Sequence, residues 1–339
     1  KSILLNQETL EKYDSKKMYK IYDDWPNLAK KAYASDLEPA NFENIDHIVF
    51  AGMGGSGAIG LIFASILSKT NIHVSIVNGY NLPKTVDENT LVVCTSVSGN
   101  TEETLSVLNY ANNIKCKKIV FSSGGKIEKY CLKHHINFRK INEIHSPRTS
   151  FAKYLFSMIK ILNPILKIND SDIINVIQEL EKLKNKISSK NLVEDNPAIK
   201  LAKWIKGIPI IYYPSGLNAA ATRFKNSLQE NAKTHAMSEN IIEMCHNGIV
   251  SWEKSSNVQP ILIHGVEDHP KTEERWNIVK QYFNEKEIAY EEILSVRGPI
   301  LSKVVNLIYL LDYASIYLAV ISGIDPSPVE SIDYIKNKM

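Results

Sequence analysis

Leu91-Val92-Val93-Cys94-Thr95-Ser96-Val97-Ser98-Gly99-Asn100-Thr101-Glu102-Glu103-Thr104 reads as a strand, a turn and the start of a helix. The apolar, β-branched run from Leu91 to Cys94 predicts a buried strand. Leu105, Leu108 and Ala111 then fall at helix spacing. The turn between them carries the hydroxyls of Ser96, Ser98 and Thr101 together with Gly99. A helix start offers unpaired N–H groups and the positive end of the helix dipole, and both suit an anion. Small side chains let a phosphate come close, and the hydroxyls add donors. An ordinary Ser/Thr N-cap with Glu in the first turn uses the same residue types without any ligand. The rest of the chain has to decide between the two.

Upstream, His47-Ile48-Val49-Phe50-Ala51 predicts a strand that runs into Gly52-Met53-Gly54-Gly55-Ser56-Gly57-Ala58-Ile59-Gly60 and then an apolar helix, Leu61 to Leu67. Strand, glycine-rich turn and helix form a second phosphate-suited arrangement. Gly52, Gly54 and Gly57 also satisfy the dinucleotide spacing G-x-G-x-x-G. That cofactor needs an acidic residue at the end of the next strand to hold its ribose. The next strand, Ile72 to Val77, ends in Asn78-Gly79, and no Asp or Glu occurs between His47 and Val86. The dinucleotide reading is therefore set aside, and a close-packed glycine turn remains as its alternative.

Downstream, Lys118 to Phe121 and Ile136 to Phe138 predict further strands, each separated from the last by a helical segment. Strands alternating with helices argue for a parallel sheet covered on both faces. Two phosphate-suited turns at the C-terminal ends of its strands place one ligand at the mouth of that sheet. Ser146-Pro147-Arg148-Thr149 closes the unit, with Arg148 opening a helix, and an amphipathic helix from Asp170 to Asn191 reads as a connector. A second α/β cycle starts at Pro209 to Tyr213 and continues through Pro260 to His264 and Tyr290 to Leu294, without a serine-rich turn. Before the first strand, residues 1 to about 45 read as polar helices. The expected boundaries are 1–150, a connector 151–192, a second unit 193–322 and a tail 323–339.

The chain has 339 residues and a formal net charge of +3, with its lysines spread out, which argues against a nucleic-acid partner. Cys94, Cys116, Cys131 and Cys245 show no CxxC spacing and read as reduced thiols. No leader is recognised ahead of Asn6, and the longest apolar run, Val304 to Ile321, is interrupted by Asn306, Asp312 and Ser315. It falls short of the ~18 apolar residues of a membrane span. The expectation is a cytoplasmic protein with no membrane partner. In the second half, Glu230 and His246 are a plausible acid/base pair whose proximity the sequence leaves open.

Taken in order, Gly52-Met53-Gly54-Gly55-Ser56, the Ser96 to Thr104 turn, Pro147-Arg148, Arg223-Phe224-Lys225-Asn226, Glu230-Asn231-Ala232-Lys233, His246-Asn247 and Asp325-Pro326 resemble bifunctional phosphoglucose/phosphomannose isomerase. This family lies within the phosphoglucose isomerase superfamily. The resemblance implies an α/β fold of two sugar isomerase (SIS) domains, each a parallel sheet flanked by helices, doubly wound and flavodoxin-like. It implies a sugar 6-phosphate substrate, a homodimer with shared active sites, and no metal or organic cofactor. It implies that Gly55 and Ser56 act at the sugar, and that Ser96, Ser98 and Thr101 hold the phosphate. Arg148 would stabilise the enediolate, Glu230 would be the base, and His246 from the neighbouring subunit would open the ring. Lys336 in the tail would reach the sugar.

Two positions depart from the family pattern. Val97 stands where an aromatic is usual, and Gly248 stands where a Glu often follows His-Asn, which removes a carboxylate near the histidine. The competing readings are a non-catalytic SIS-type sugar-phosphate sensor and an isomerase of another sugar phosphate. No basic recognition helix in the first 45 residues supports the sensor.

Overall fold

Every strand pairing among residues 2–339, the residues described by the computed structural model, is parallel. The first sheet contains His47–Ala51 (β1), His73–Val77 (β2), Thr90–Ser96 (β3), Lys117–Ser122 (β4) and Asn137–Lys140 (β5), in the order β2-β1-β3-β4-β5. β1 and β3 are buried along their whole length, as central strands covered on both faces must be. Strand alternation turns Val49, Val92, Cys94 and Val120 to one face, where they pack with Val107, Leu108, Ile127 and Cys131 of two helices. Phe50 points the other way and stacks on Phe63 of the Gly54–Leu67 helix. That helix begins at Gly54 rather than at Leu61, so the glycine run is its own first turn. A Cβ on Gly60 would come 2.9 Å from Phe50 Cβ, so glycine sets this close helix–sheet contact.

The second sheet has the order β7-β6-β8-β9, from Ile208–Tyr213 (β6), Met237–Asn240 (β7), Val258–His264 (β8) and Glu291–Leu294 (β9). β7 has no counterpart in the sequence reading, because Met-Ser-Glu-Asn lacks the β-branched and aromatic residues that mark strands. Tyr212 and Leu262 pack on this sheet with Trp276, Val279 and Phe283 of the Pro270–Glu285 helix.

The chain forms two compact units, Asp24–Gln178 and a second made of residues 2–23 with 179–339. This division differs from the expected segments for identifiable reasons. Trp25 stacks on Phe151, and Ala40 N donates to Ile161 O, so the Phe151–Leu166 helix belongs with the first sheet. In the other unit, Ile3 N donates to Ile321 O, and the Tyr22 hydroxyl donates to Asp312 at 2.8 Å. The first 23 residues thus join the unit at the opposite end of the sequence.

The run read as interrupted forms one continuous helix, Ile300–Ile321. Its mean hydropathy of 1.8 and its length would suffice to cross a membrane, yet 89% of that stretch is buried within the protein. Two of the three interrupting residues, Asp312 and Ser315, have buried partners. Asp312, fully buried, accepts from Arg223 Nη2 at 2.9 Å, from the Ser227 hydroxyl at 2.8 Å and from Tyr22. The Ser315 hydroxyl accepts from the Asn231 side-chain amide at 3.0 Å.

Candidate active site

In a sheet of order 2-1-3-4-5 the helices change sides between β1 and β3, and ligands settle outside the carboxyl ends of those two strands. The Gly52–Ser56 turn follows β1, and the Ser96–Thr101 turn follows β3. Topology therefore singles out the same two turns that the residue chemistry did.

The second turn is locked from below. Gly99 has φ +75°, and a Cβ there would lie 1.8 Å from Gly124 O, so only glycine is accommodated. Ile127 N donates to Gly99 O, Lys126 N to the Asn100 side chain, and Ser123 N to Val97 O. Val97 is buried beneath the turn, occupying the aromatic position of the family pattern.

Within this frame the hydroxyls are oriented. Ser96 Oγ accepts from Gly99 N at 3.0 Å and lies 2.8 Å from Thr101 Oγ1, so one of these two hydroxyl protons is shared between them. Ser98 Oγ accepts from Asn100 N at 3.2 Å. Its own O–H remains available as a donor. Thr101 is the N-cap of the Glu102–Asn112 helix, but its side chain does not cap the backbone. The first-turn N–H groups consequently lack the side-chain acceptor that an ordinary cap supplies. One turn further in, the Thr104 hydroxyl is buried without a hydrogen-bond partner among the described residues. Converging O–H and N–H donors at a helix start are what a phosphate dianion requires.

Gly55 and Ser56 lie in the first turn of the Gly54–Leu67 helix, partly exposed. Arg148 belongs to the same unit. It begins a 3-10 turn, Arg148–Ser150, that leads into the Phe151–Leu166 helix, and it is only 8% exposed. Thr149 and Ser150 anchor the turn through hydrogen bonds to Ile144 O. Arg148 thus places a buried guanidinium in the first unit.

Glu230, His246 and Lys336 lie in the other unit. Glu230 sits, half-buried, in the last turn of the Asn218–Ala232 helix. Its neighbour Asn231 is fully buried against Ser315. Lys233 closes the helix in the left-handed conformation, and its ammonium donates to Glu230 O at 2.7 Å and to Asp325 O at 3.2 Å. The end of the Glu230 helix is thus tied to the segment that begins the C-terminal tail. His246 is exposed on the loop after the short Ile241–Met244 helix, and Lys336 is exposed on the Glu330–Lys338 helix. Neither side chain makes a hydrogen bond or ion pair among the described residues.

Two parallel sheets, one with a phosphate-suited turn at its switch point, define an SIS-domain protein, and residues 41–159 match the family described as SIS domain. Residues 194–339 match the bacterial phospho-glucose isomerase C-terminal SIS domain. The chain is 34% identical over 338 residues to a bifunctional phosphoglucose/phosphomannose isomerase of Caldicellulosiruptor bescii, covering 95% of this chain and 98% of that one. It is 29% identical to the enzyme of the same description from Aquifex aeolicus, covering 93% and 94%. Among solved structures, the C-terminal domain of glucosamine-fructose-6-phosphate aminotransferase from Francisella tularensis shares the fold, with a TM-score of 0.70 at 18% identity, covering 92% and 98%. The chain belongs to the bifunctional phosphoglucose/phosphomannose isomerase family.

Proposed function

We propose that this protein interconverts glucose 6-phosphate, and mannose 6-phosphate, with fructose 6-phosphate. The observation that carries the reading is the Ser96–Thr101 turn, a built phosphate cradle in a chain that matches bifunctional isomerases along nearly its full length. The 6-phosphate binds the hydroxyls of Ser96, Ser98 and Thr101 and the N–H groups behind them. Gly55 and Ser56 contact the sugar.

The substrate is mostly a closed ring, so a group must first move a proton between the ring oxygen and the C1 hydroxyl. An imidazole, with a reference pKa near ~6.5, suits that step and is assigned to His246. The Glu230 carboxylate then carries a proton between C2 and C1 through a cis-enediol(ate). Arg148 stabilises the developing oxyanion with a charge that persists at any working pH. Lys336 contacts the sugar from the tail. For mannose 6-phosphate the base meets the opposite configuration at C2, which rotation about C2–C3 brings within its reach.

The exposed, unpaired His246 supports a homodimer in which each histidine serves the neighbouring subunit's sugar. The four cysteines are free thiols, which supports a cytoplasmic location. The test is a coupled assay of fructose 6-phosphate formed from each aldose phosphate, in EDTA, with Glu230→Gln as control. Turnover of both sugars that is lost in the variant is expected. Tight binding without turnover would overturn the enzyme reading in favour of a sensor.

A further inference from the structure

We propose that Lys126 is a further phosphate-binding residue, the side chain that brings positive charge to the turn after β3. The inference rests on the reading of that turn as the 6-phosphate site. Ser96, Ser98 and Thr101 offer neutral hydroxyls, and no residue from Ser96 to Thr101 is cationic. The first turn of the helix that follows carries Glu102 and Glu103, two charges of the same sign as the ligand. Carboxylates suit a bare helix start, but beside a phosphate dianion they repel. The turn by itself therefore lacks a counter-charge.

Lys126 is delivered to the same place by the chain that packs under the turn. β4 ends at Ser122, and Gly124 and Gly125 bring the next helix, Gly125–His134, against Gly99 and Asn100. A Cβ on Gly125 would lie 2.6 Å from Ser98 O and 2.8 Å from Asn100 Oδ1, so glycine permits the approach. Lys126 N donates to Asn100 Oδ1 at 3.0 Å, and its Nζ lies 3.6 Å from Glu102 Oε1. Both residues that hold it, Asn100 and Glu102, flank Thr101.

Two features set this lysine apart from a surface charge. It occupies the second position of its own helix, where the positive end of the macrodipole disfavours a cation. Its ion pair with Glu102 is long and open to solvent, with the two side chains 67% and 53% exposed. Such a pair contributes too little to fix a long side chain in place. The ammonium can therefore leave Glu102 for a doubly charged phosphate. While it stays, it offsets a charge that would repel the ligand.

The test is calorimetry with inorganic phosphate, beside the KM for glucose 6-phosphate, at low and at high ionic strength. Every substitution of the Lys126 side chain keeps the backbone bond to Asn100, so the turn retains its support. Lys126→Met should weaken phosphate binding and raise KM by roughly threefold to tenfold at low salt, with kcat changing less than KM. Lys126→Glu should weaken both further, Lys126→Arg should retain them, and Glu102→Gln should tighten both. High salt should shrink these differences, because the charges are exposed. Ser98→Ala is the reference for the site itself. Phosphate binding that is unchanged in Lys126→Met and Lys126→Glu but weakened in Ser98→Ala overturns the role of Lys126 and leaves the turn as the phosphate site. Phosphate binding unchanged in Ser98→Ala as well, or absent from the wild-type chain, overturns the phosphate reading of the turn and the role of Lys126 with it.

Discussion

Ser98 has the most exposed role of the three turn hydroxyls, because its oxygen is already used by Asn100 N and its proton is free to reach a ligand. Ser96, by contrast, is 2% exposed and also holds Gly99 N, so replacing it disturbs the turn as well as the ligand. Ser98→Ala should therefore raise KM for glucose 6-phosphate roughly tenfold, the equivalent of one hydrogen bond to a charged group of about 1.5 kcal/mol. Steady-state kinetics checks this, with kcat expected to fall less than KM rises. The chemistry of this turn was legible in its residue types. Its rigidity was not, since Gly99 is glycine because of Gly124 O, a contact made across two strands. Gly248 was legible only as a lost carboxylate, whereas folding brings Glu239 against it from a strand with no strand signal.

At the scale of elements, the Ile300–Ile321 helix organises the second sheet's unit, packing with the Asn218–Ala232 helix through a buried ion pair of Arg223 and Asp312. Removing one partner of such a pair leaves an uncompensated buried charge. Asp312→Ala should destabilise by about 3–5 kcal/mol, read from urea unfolding.

The same helix carries Tyr313 and Tyr317, whose hydroxyls reach Asp23 and Ile187 O. Burial holds both well above the usual phenol range, and the Tyr309 ring and the Asp23 charge add to it. Below pH ~10 these tyrosines are protonated in both the native and the unfolded chain, and their contribution is intact. Above it the unfolded chain loses protons that the native state retains, so stability falls as pH rises. Each buried tyrosine costs up to about 1.4 kcal/mol per pH unit until its native pKa is reached. Tyr317→Phe should flatten this alkaline decline in pH-dependent unfolding curves.

For the whole molecule, the division of catalytic groups between copies of the chain is the part of the proposal with the widest consequence. Glu230→Gln and His246→Gln are each expected to be inactive alone. After unfolding and refolding together, half of the dimers are mixed, and one of their two sites has both groups. About a quarter of wild-type activity should return. No recovery, with a mixed dimer demonstrated by mass, would place His246 and Glu230 in the same subunit's site.

The sequence by itself determined what depends on local pattern. Eight strands, their parallel alternation with helices, the hydroxyl-bearing turn after β3 and the family were all readable from β-branched runs, helix spacing and short motifs, because these are properties of neighbouring residues. Tertiary structure alone decided what depends on distant partners. β7 is a strand because β6 offers it a backbone ladder, and residues 2–23 join the C-terminal unit because Tyr22 meets Asp312. Asp312 sits inside an apolar helix because Arg223 needs a counter-charge where water is excluded. Burial and pairing at long separation leave no periodicity in the chain, and so no local signal to read.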